Sequence, residues 1–192
     1  MRVTRKPLWA GAVAALLMVA TSVGGQSLDA LAERAVEEEK LLAELAQPDL
    51  ATWESVERKI MRLWSQSGSD TIDHLLKRGE AAMEEEEYLK ALEHFTVVTD
   101  HAPDFAEGWH ARSIAFFMLD EYGLALLDIE RTLALNPRHF GALSGVGVIY
   151  EEMGEFDLAL QAMRLAHDLN PHRENITDAI KRLEQQVGRS TL

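Results

Sequence analysis

Three prolines in the second half of the chain, Pro103, Pro137 and Pro171, are spaced by 34 residues each time. Equal spacing of this kind indicates a repeated structural unit, in which the same residue ends the same element. With the prolines at position 32, the units are 72–105, 106–139 and 140–173. Three further columns agree in all units, namely an aromatic residue at position 17 (Tyr88, Tyr122, Phe156), Ala at position 20 (Ala91, Ala125, Ala159) and Leu at position 21 (Leu92, Leu126, Leu160). The sequence therefore predicts three tandem repeats over residues 72–173.

Each unit has the pattern of two helices joined by a short turn. In the third unit Leu143, Gly147 and Tyr150 recur at helical spacing, and Gly154 interrupts the series. A second apolar series then follows and stops before Pro171, since proline lacks an amide hydrogen and clashes with the preceding helical turn. A small residue at position 8 of each unit allows the two helices to approach closely. We therefore expect an all-α array of helical pairs.

With these columns the chain resembles the tetratricopeptide repeat (TPR) family over residues 72–173. The packing positions that carry the resemblance are Gly79, Ala91, Pro103, Trp109, Ala125, Pro137, Gly147, Tyr150, Ala159 and Pro171. The first unit departs from the family pattern at Ala82, where an aromatic residue is usual, and at Glu85 and Glu86 in its turn. The resemblance implies a right-handed superhelix whose concave groove holds a peptide.

The resemblance also places the groove on the first helix of each unit. The residues in that row are Leu76, Glu80, Met83, His110, Ile114, Phe117, Ser144, Val148 and Glu151. The middle of the row is apolar and its ends carry Glu, which favours an apolar or basic amphipathic segment of a partner protein. Leu76 and Glu80 occupy two places of the Lys/Asn/Arg set with which some family members clamp a C-terminal carboxylate, so that binding mode is not expected. The alternative interpretation is that Ile114 and Phe117 merely pack against the next repeat.

The segments on either side of the repeats are predicted to be helical as well. Residues 174–192 are expected to form a C-terminal capping helix and tail, because Ile176, Ile180 and Leu183 lie on one stripe and a repeat array needs a cap. Residues 26–71 lack the repeat register and have the pattern of an N-terminal helical hairpin. We expect this hairpin to cover the first repeat. The alternative is a dimerising coiled coil, which would make the chain a self-associating structural subunit of an envelope complex.

The first 25 residues have the pattern of a secretory signal peptide. Arg2, Arg5 and Lys6 precede a short apolar run at 8–20, and small residues follow up to Gly25. The run is shorter than the roughly 20 residues that a membrane span requires. We therefore expect cleavage between Ser22 and Gly25, export to the periplasm and no stable membrane span in the mature chain; an uncleaved anchor is the alternative.

Composition and spacing exclude several classes of function. The chain has no Cys, which excludes thiol catalysis, Cys-based zinc sites and disulfides. Its formal charge of −13 argues against nucleic-acid binding. The seven His residues form no ligand motif and scatter over different helix faces, so neither a metal nor another cofactor is expected. No catalytic residues stand out. The sequence thus predicts a non-catalytic, exported adaptor that binds a protein or peptide, with an oligomer left open.

Overall fold

The computed structural model describes residues 28–190, and the predicted signal peptide at 1–25 lies outside them. The helices of the described chain are α1 (Leu28–Leu45), α2 (Trp53–Trp64), α3 (Asp70–Glu84), α4 (Tyr88–His101), α5 (Ala106–Met118), α6 (Tyr122–Leu135), α7 (Phe140–Glu152), α8 (Phe156–Leu169) and α9 (Glu174–Ser190). The pairs α3–α4, α5–α6 and α7–α8 are the three repeats, stacked in a right-handed superhelix. The predicted all-α fold, with its hairpin and its capping helix, is confirmed. Within residues 28–190, none of the helices combines the length and apolar character needed to cross a bilayer.

In the first and third repeats, close contact between the two helices depends on a glycine in the first helix. A Cβ atom at Gly79 would collide with the ring of Phe95, and one at Gly147 would lie 2.8 Å from Cγ of Met163. The alanines at position 20 of the three units are fully buried on the second helix. The small residues let the helix backbones approach, and the larger side chain opposite fills the remaining space.

The turn within each repeat contains a residue in the left-handed backbone region. Glu86 and Asp120 each have φ of 60°, and Gly154 at the equivalent position has φ of 78°. The amide of the following residue donates to the carbonyl five residues earlier, at 2.8–3.0 Å in all three units. Such a bond satisfies a carbonyl at the helix end, so the same turn is built three times although only one unit has the preferred glycine.

A largely buried ion pair within the second repeat also ties that repeat to the first. Arg112 on α5 donates two hydrogen bonds to the carboxylate of Asp128 on α6, at 2.7 and 2.8 Å. Its remaining terminal nitrogen donates to the hydroxyl of Thr99 on α4, at 2.9 Å. Removing one member would leave the other charge buried and unpaired, which is strongly destabilising. The pair therefore fixes α5 against the helices on both sides.

The last helix covers the third repeat in the predicted manner. Ile176, Ala179 and Leu183 on α9 are buried against the apolar cluster of α8. Arg182, on a more exposed face of α9, donates two hydrogen bonds to Glu151 of α7, at 2.7 and 2.9 Å. The cap thus removes the apolar end of the array from water and also pairs one acidic residue of the groove row.

The N-terminal hairpin does not cover the first repeat, and that expectation is wrong. Its apolar residues, including Leu45, Ile60 and Trp64, form one cluster with Phe140 at the start of α7, and Leu169 at the end of α8 packs against it. The hairpin thus packs on the third repeat, which adjoins the opposite end of the array. The reason is that these side chains find an apolar and aromatic surface at the helix connections of that repeat.

Polar contacts hold the hairpin in the same place. Glu57 on α2 accepts hydrogen bonds from Asn170, at 3.1 Å, and from Arg173, at 2.7 Å. The ring of Trp53 stacks on that of His172, with centroids 5.5 Å apart. These partners lie in the connection between α8 and α9, so the hairpin lies along an edge of the array formed by its loops.

Candidate functional site

An open depression of about 180 Å³ lies between α5 and α7, where the second and third repeats meet. Its lining residues are His110, Ser113, Ile114, Phe117, Ile129, Gly141, Ser144, Gly145, Val148 and Ile149. Five of the predicted groove residues are among them, namely His110, Ile114, Phe117, Ser144 and Val148. The structure therefore brings five of the six predicted residues of the second and third repeats to one concave surface, and Glu151 lies outside its lining.

Two apolar side chains at this depression are exposed to water. Ile114 is 42% exposed and Val148 is 37% exposed. Phe117 is half-buried, and its ring stacks on Tyr122 of the same repeat with centroids 5.7 Å apart. Packing on the next repeat thus leaves much of Ile114 uncovered, while Phe117 is both a packing residue and a lining residue. Exposed apolar area on a concave surface is typical of a binding site.

The first repeat contributes differently from the prediction. Leu76 is only 1% exposed and packs with Phe95, Ala111 and Ala115, so its assignment to the groove surface is wrong. The small alanines of α5 allow α3 to come close, and Leu76 fills the space between them. Met83 is half-buried against the same cluster. The apolar surface of the groove therefore begins at the second repeat.

The two acidic ends of the row differ in their electrostatics. The hydrogen bonds from Arg182 lower the pKa of Glu151 below its usual range, so this carboxylate is already paired. Glu80 lies on the exposed side of α3, but partial burial of its carboxyl and the nearby Glu107 raise its pKa. Among residues 28–190, Glu80 near the first repeat thus has no ion-pair partner, whereas Glu151 near the third repeat is neutralised by Arg182.

A buried polar cluster lies beside the depression, made of Glu107, His110 and His139. The Glu107 carboxylate contacts Nδ1 of His110 at 3.3 Å and Nε2 of His139 at 3.0 Å. All three residues are buried, and the nitrogen and oxygen atoms with which they could bind a metal ion lie within 4.8 Å of one another. The expectation that the His residues scatter over different faces is wrong for this pair.

The protonation of this cluster follows from its hydrogen bonds. Burial alone would raise the pKa of Glu107, but the charges and hydrogen bonds of His110 and His139 outweigh it and lower that pKa to about 2. Burial and the neighbouring His110 lower the pKa of His139, against the opposing effect of Glu107. Nδ1 of His139 accepts from the amide of Ala142 at 3.0 Å, so in the neutral ring the proton is on Nε2 and is donated to Glu107.

The same hydrogen bonds decide whether the cluster suits a metal ion. One Glu and two His could supply three ligands. A metal on Nε2 of His139 would move the ring proton to Nδ1, where it would face the amide hydrogen of Ala142. That amide begins α7 and would lose its acceptor. The arrangement fits a satisfied hydrogen-bond network better than a ligand set, and the absence of a metal site stays a prediction.

The hairpin closes this cluster from one side. The indole of Trp64 stacks on His139 with centroids 4.4 Å apart, and its nitrogen donates to Glu38 at 2.7 Å. His139 is fully buried as a result. Glu107 and His139 are 32 residues apart in the chain, and the hairpin adds a third distant segment. The signal in the sequence that could have revealed this cluster is that the second and the last residue of the second repeat unit, Glu107 and His139, are both ionisable.

Comparison with known proteins identifies the family. The chain is 33% identical to a TPR repeat-containing protein of Rhizobium etli over 141 residues, which is 73% of this chain and 68% of that one. It is also 25% identical to Hsp70-Hsp90 organizing protein 1 of Glycine max, over 62% of this chain and 21% of that protein. No family model matches the sequence. The chain belongs to the TPR repeat-containing proteins, as its repeat columns predict.

Solved structures show the same fold. The TPR domain of Sgt2 from Aspergillus fumigatus matches with a TM-score of 0.60 at 20% identity, over 64% of this chain and 83% of that one. The first TPR of Spaghetti (RPAP3), bound to an HSP90 peptide, matches with a TM-score of 0.59 at 20% identity, over 61% and 93%. MamA matches over 82% of this chain and 84% of its own, with a TM-score of 0.53 at 20% identity.

Proposed function

We propose that this protein is a non-catalytic adaptor that binds a peptide segment of a partner protein in the depression between the second and third repeats. The observation that carries the proposal is the pair of exposed apolar side chains, Ile114 and Val148, which face one concave depression from α5 and α7. Membership of the TPR family supports a role in protein–protein interaction, and the solved structure with a bound HSP90 peptide has the same fold.

The binding mode that we propose is apolar rather than a clamp on a terminal carboxylate. Leu76 occupies one of the clamp positions and is buried, and Glu80 at another is acidic. The acidic character near Glu80 disfavours a carboxylate and favours a neutral or basic flank on the bound segment. A segment with an apolar centre therefore fits this surface better than an acidic C-terminal tail.

Selection from a random peptide library displayed on phage tests this function. Peptides selected on the wild-type chain should bind Phe117→Ala more weakly by about 2 kcal/mol or more, because binding energy concentrates in a few central aromatic and apolar residues. Val148→Ala, on the opposite wall and partly exposed, should also weaken binding. Leu165→Ala is the control, since Leu165 is exposed on α8 and does not line the depression.

Two results would contradict the proposed function. One is a library that yields no peptide whose binding depends on Phe117 or Val148. The other is a large loss of folding stability in Phe117→Ala with unchanged peptide capture, which would show that this ring serves packing alone. The Val148→Ala variant keeps the test decisive if Phe117→Ala unfolds.

We further propose that the adaptor is exported to the periplasm after removal of its first residues. The support is the sequence pattern alone, namely basic residues followed by a short apolar run and small residues up to Gly25. Intact-mass measurement of the protein from its native envelope should show a mature chain that begins between Val23 and Gln26. Retention of Met1 on a membrane-bound product would contradict cleavage and favour the anchored alternative.

The hairpin gives little support to the alternative of a self-associating subunit. The apolar faces of α1 and α2, including Leu42, Leu45 and Ile60, are buried against the third repeat of the same chain. Leu31 and Val36 are the large apolar side chains that α1 leaves exposed among the described residues. Self-association through residues 26–71 would therefore have a small apolar face, and light scattering should report a monomer.

A further inference from the structure

The lining of the depression includes a nearly buried imidazole, that of His110. The residue is 8% exposed, while the walls of the depression are the apolar side chains of Ile114, Val148 and Ile149. Gly141 lines the depression next to this ring, and a Cβ atom there would lie 3.2 Å from both Cε1 and Nε2 of His110. The glycine thus leaves the ring room beside Nε2.

The hydrogen bond on the other side of the His110 ring determines which ring nitrogen carries the proton. An ionised carboxylate only accepts hydrogen bonds, so Nδ1 of His110 carries the proton that points at Glu107. In the neutral ring Nε2 is then an acceptor with a free lone pair. Among the described residues, 28–190, the hydrogen bond of this ring is the one at Nδ1, and no buried side-chain nitrogen or oxygen is without a partner. Nε2 of His110 is therefore open to solvent at the depression, where a donor on a ligand can take the place of water.

The other polar groups of the depression are engaged. The hydroxyl of Ser113 donates to the carbonyl of His110 at 2.6 Å, and that of Ser144 donates to the carbonyl of Gly141 at 2.9 Å. Their protons are therefore used within their own helices. The depression therefore presents apolar walls without a free hydroxyl donor, and its side-chain acceptors are the two serine oxygens and Nε2 of His110.

We infer that this depression is an anchor pocket for one tyrosine or tryptophan side chain of the bound segment, whose ring packs between Ile114 and Val148 and whose O–H or N–H donates to Nε2 of His110. The inference rests on the proposed function and names the residue type that the groove selects. An aliphatic side chain fills the space between the apolar walls but gives Nε2 of His110 no hydrogen-bond donor. A lysine ammonium gives a donor but loses its hydration against apolar walls. Tyrosine and tryptophan combine a ring with a single donor.

Small aromatic probes test the pocket without knowledge of the partner. The probes are p-cresol, which has the tyrosine ring and a donor, and 4-methylanisole, in which a methyl group replaces the donated proton. Titrations are followed by the methyl NMR signals of Ile114, Val148 and Ile149, at about pH 8 where a typical imidazole is neutral. We expect p-cresol to bind about three- to tenfold more tightly, the usual contribution of one hydrogen bond. Equal affinities, or shifts in other methyl groups only, would overturn the inference.

A nearly isosteric variant, Glu107→Gln, converts Nε2 of His110 from a hydrogen-bond acceptor into a donor. In Glu107→Gln the amide oxygen accepts from Nε2 of His139, whose proton is held in place by Ala142. The amide NH₂ then faces Nδ1 of His110, which becomes an acceptor and moves its proton to Nε2. The preference for p-cresol over 4-methylanisole should therefore disappear in Glu107→Gln. It should persist in Glu84→Gln, an exposed carboxyl outside the depression.

The outcomes separate this inference from the proposed function. Peptides from the phage library that depend on Phe117 and share a tyrosine or tryptophan support both statements. Selected peptides that depend on Phe117 but carry an aliphatic residue at the shared position would leave the proposed function standing and overturn the anchor pocket. If Glu107→Gln unfolds, the affinities of p-cresol and 4-methylanisole for the wild-type chain still test the anchor pocket.

Discussion

The strongest test of the buried cluster is the free energy of unfolding of Glu107→Gln as a function of pH. Burial alone would raise the pKa of Glu107, but the charges and hydrogen bonds of His110 and His139 outweigh burial and lower it from 4.5 to about 2 on folding. Each pKa unit corresponds to about 1.36 kcal/mol, so the charge contributes on the order of 3 kcal/mol to stability at neutral pH. The glutamine keeps the shape of the side chain and removes that charge.

The pH dependence has a definite sign. The folded state binds the Glu107 proton more weakly than the unfolded state, so the stabilisation is complete above pH 4.5 and is lost as the pH falls towards 2. Urea denaturation should therefore show Glu107→Gln less stable than wild type by about 3 kcal/mol at pH 7, with the difference smaller by roughly 1 kcal/mol at about pH 3.5. The other carboxylates are common to both chains and cancel in the difference.

A matched control distinguishes this cluster from a general effect of charge. Glu84→Gln removes an exposed carboxylate at the end of α3, next to the turn of the first repeat. It should change the free energy of unfolding by less than about 0.5 kcal/mol at either pH. A difference for Glu107→Gln below that size at pH 7, or one that does not shrink in acid, would refute the assignment of Glu107 as a charged acceptor of two His residues.

Further predictions concern packing. Trp64→Ala removes a buried indole from between the hairpin and the third repeat and should cost about 3–5 kcal/mol in denaturant melts; a loss below about 1 kcal/mol would mean that the hairpin is not docked there. Gly79→Ala should cost more than Gly147→Ala, because the ring of Phe95 cannot yield whereas the Met163 side chain can move. Equal or inverted losses would contradict that ordering. Gly147→Leu should lower the free energy of unfolding by about 1–3 kcal/mol in urea melts. A midpoint equal to that of the wild type would mean that Gly147 is wrongly assigned to position 8 of its repeat.

The repeats could be predicted from sequence because each column of the 34-residue period reports a contact between neighbouring helices. Gly79 and Gly147 are small since each meets a large side chain of the next helix, at Phe95 and Met163. Such contacts recur in every unit, so a single sequence contains three records of the same geometry. The turn residues repeat as well, at Glu86 and its equivalents. Local, repeated interactions therefore specify this part of the fold.

The place of the hairpin could not be predicted because its contacts occur once and join distant segments. Glu57 and Arg173, which are hydrogen-bonded, lie 116 residues apart, and no second copy of this contact exists in the repeats to reveal it. The amphipathic pattern of α1 and α2 shows that each helix must bury a face, but it does not show against what. Non-local packing of that kind is decided by shape and by the residues of the connections, such as Asn170 and His172.

The candidate site was predicted in part for the same reason. Ile114, Phe117 and Val148 follow from the position of the groove row within a repeat, and they line the depression. Leu76 holds in the first unit the position of His110 and Ser144, and it is buried because the neighbouring helix has alanine at two contact positions. The cluster of Glu107 with its two imidazoles depends on side chains from different elements, and no helical period connects them.

The central claim is that the concave depression between the second and third repeats is where the chain binds its partner. Methyl NMR of the chain with a library-selected peptide tests it most directly. We predict that the largest shifts occur at Ile114, Val148 and Ile149, which line the depression. Shifts confined to Leu127 and Val146, which line a separate depression on another face of α6 and α7, would contradict the account.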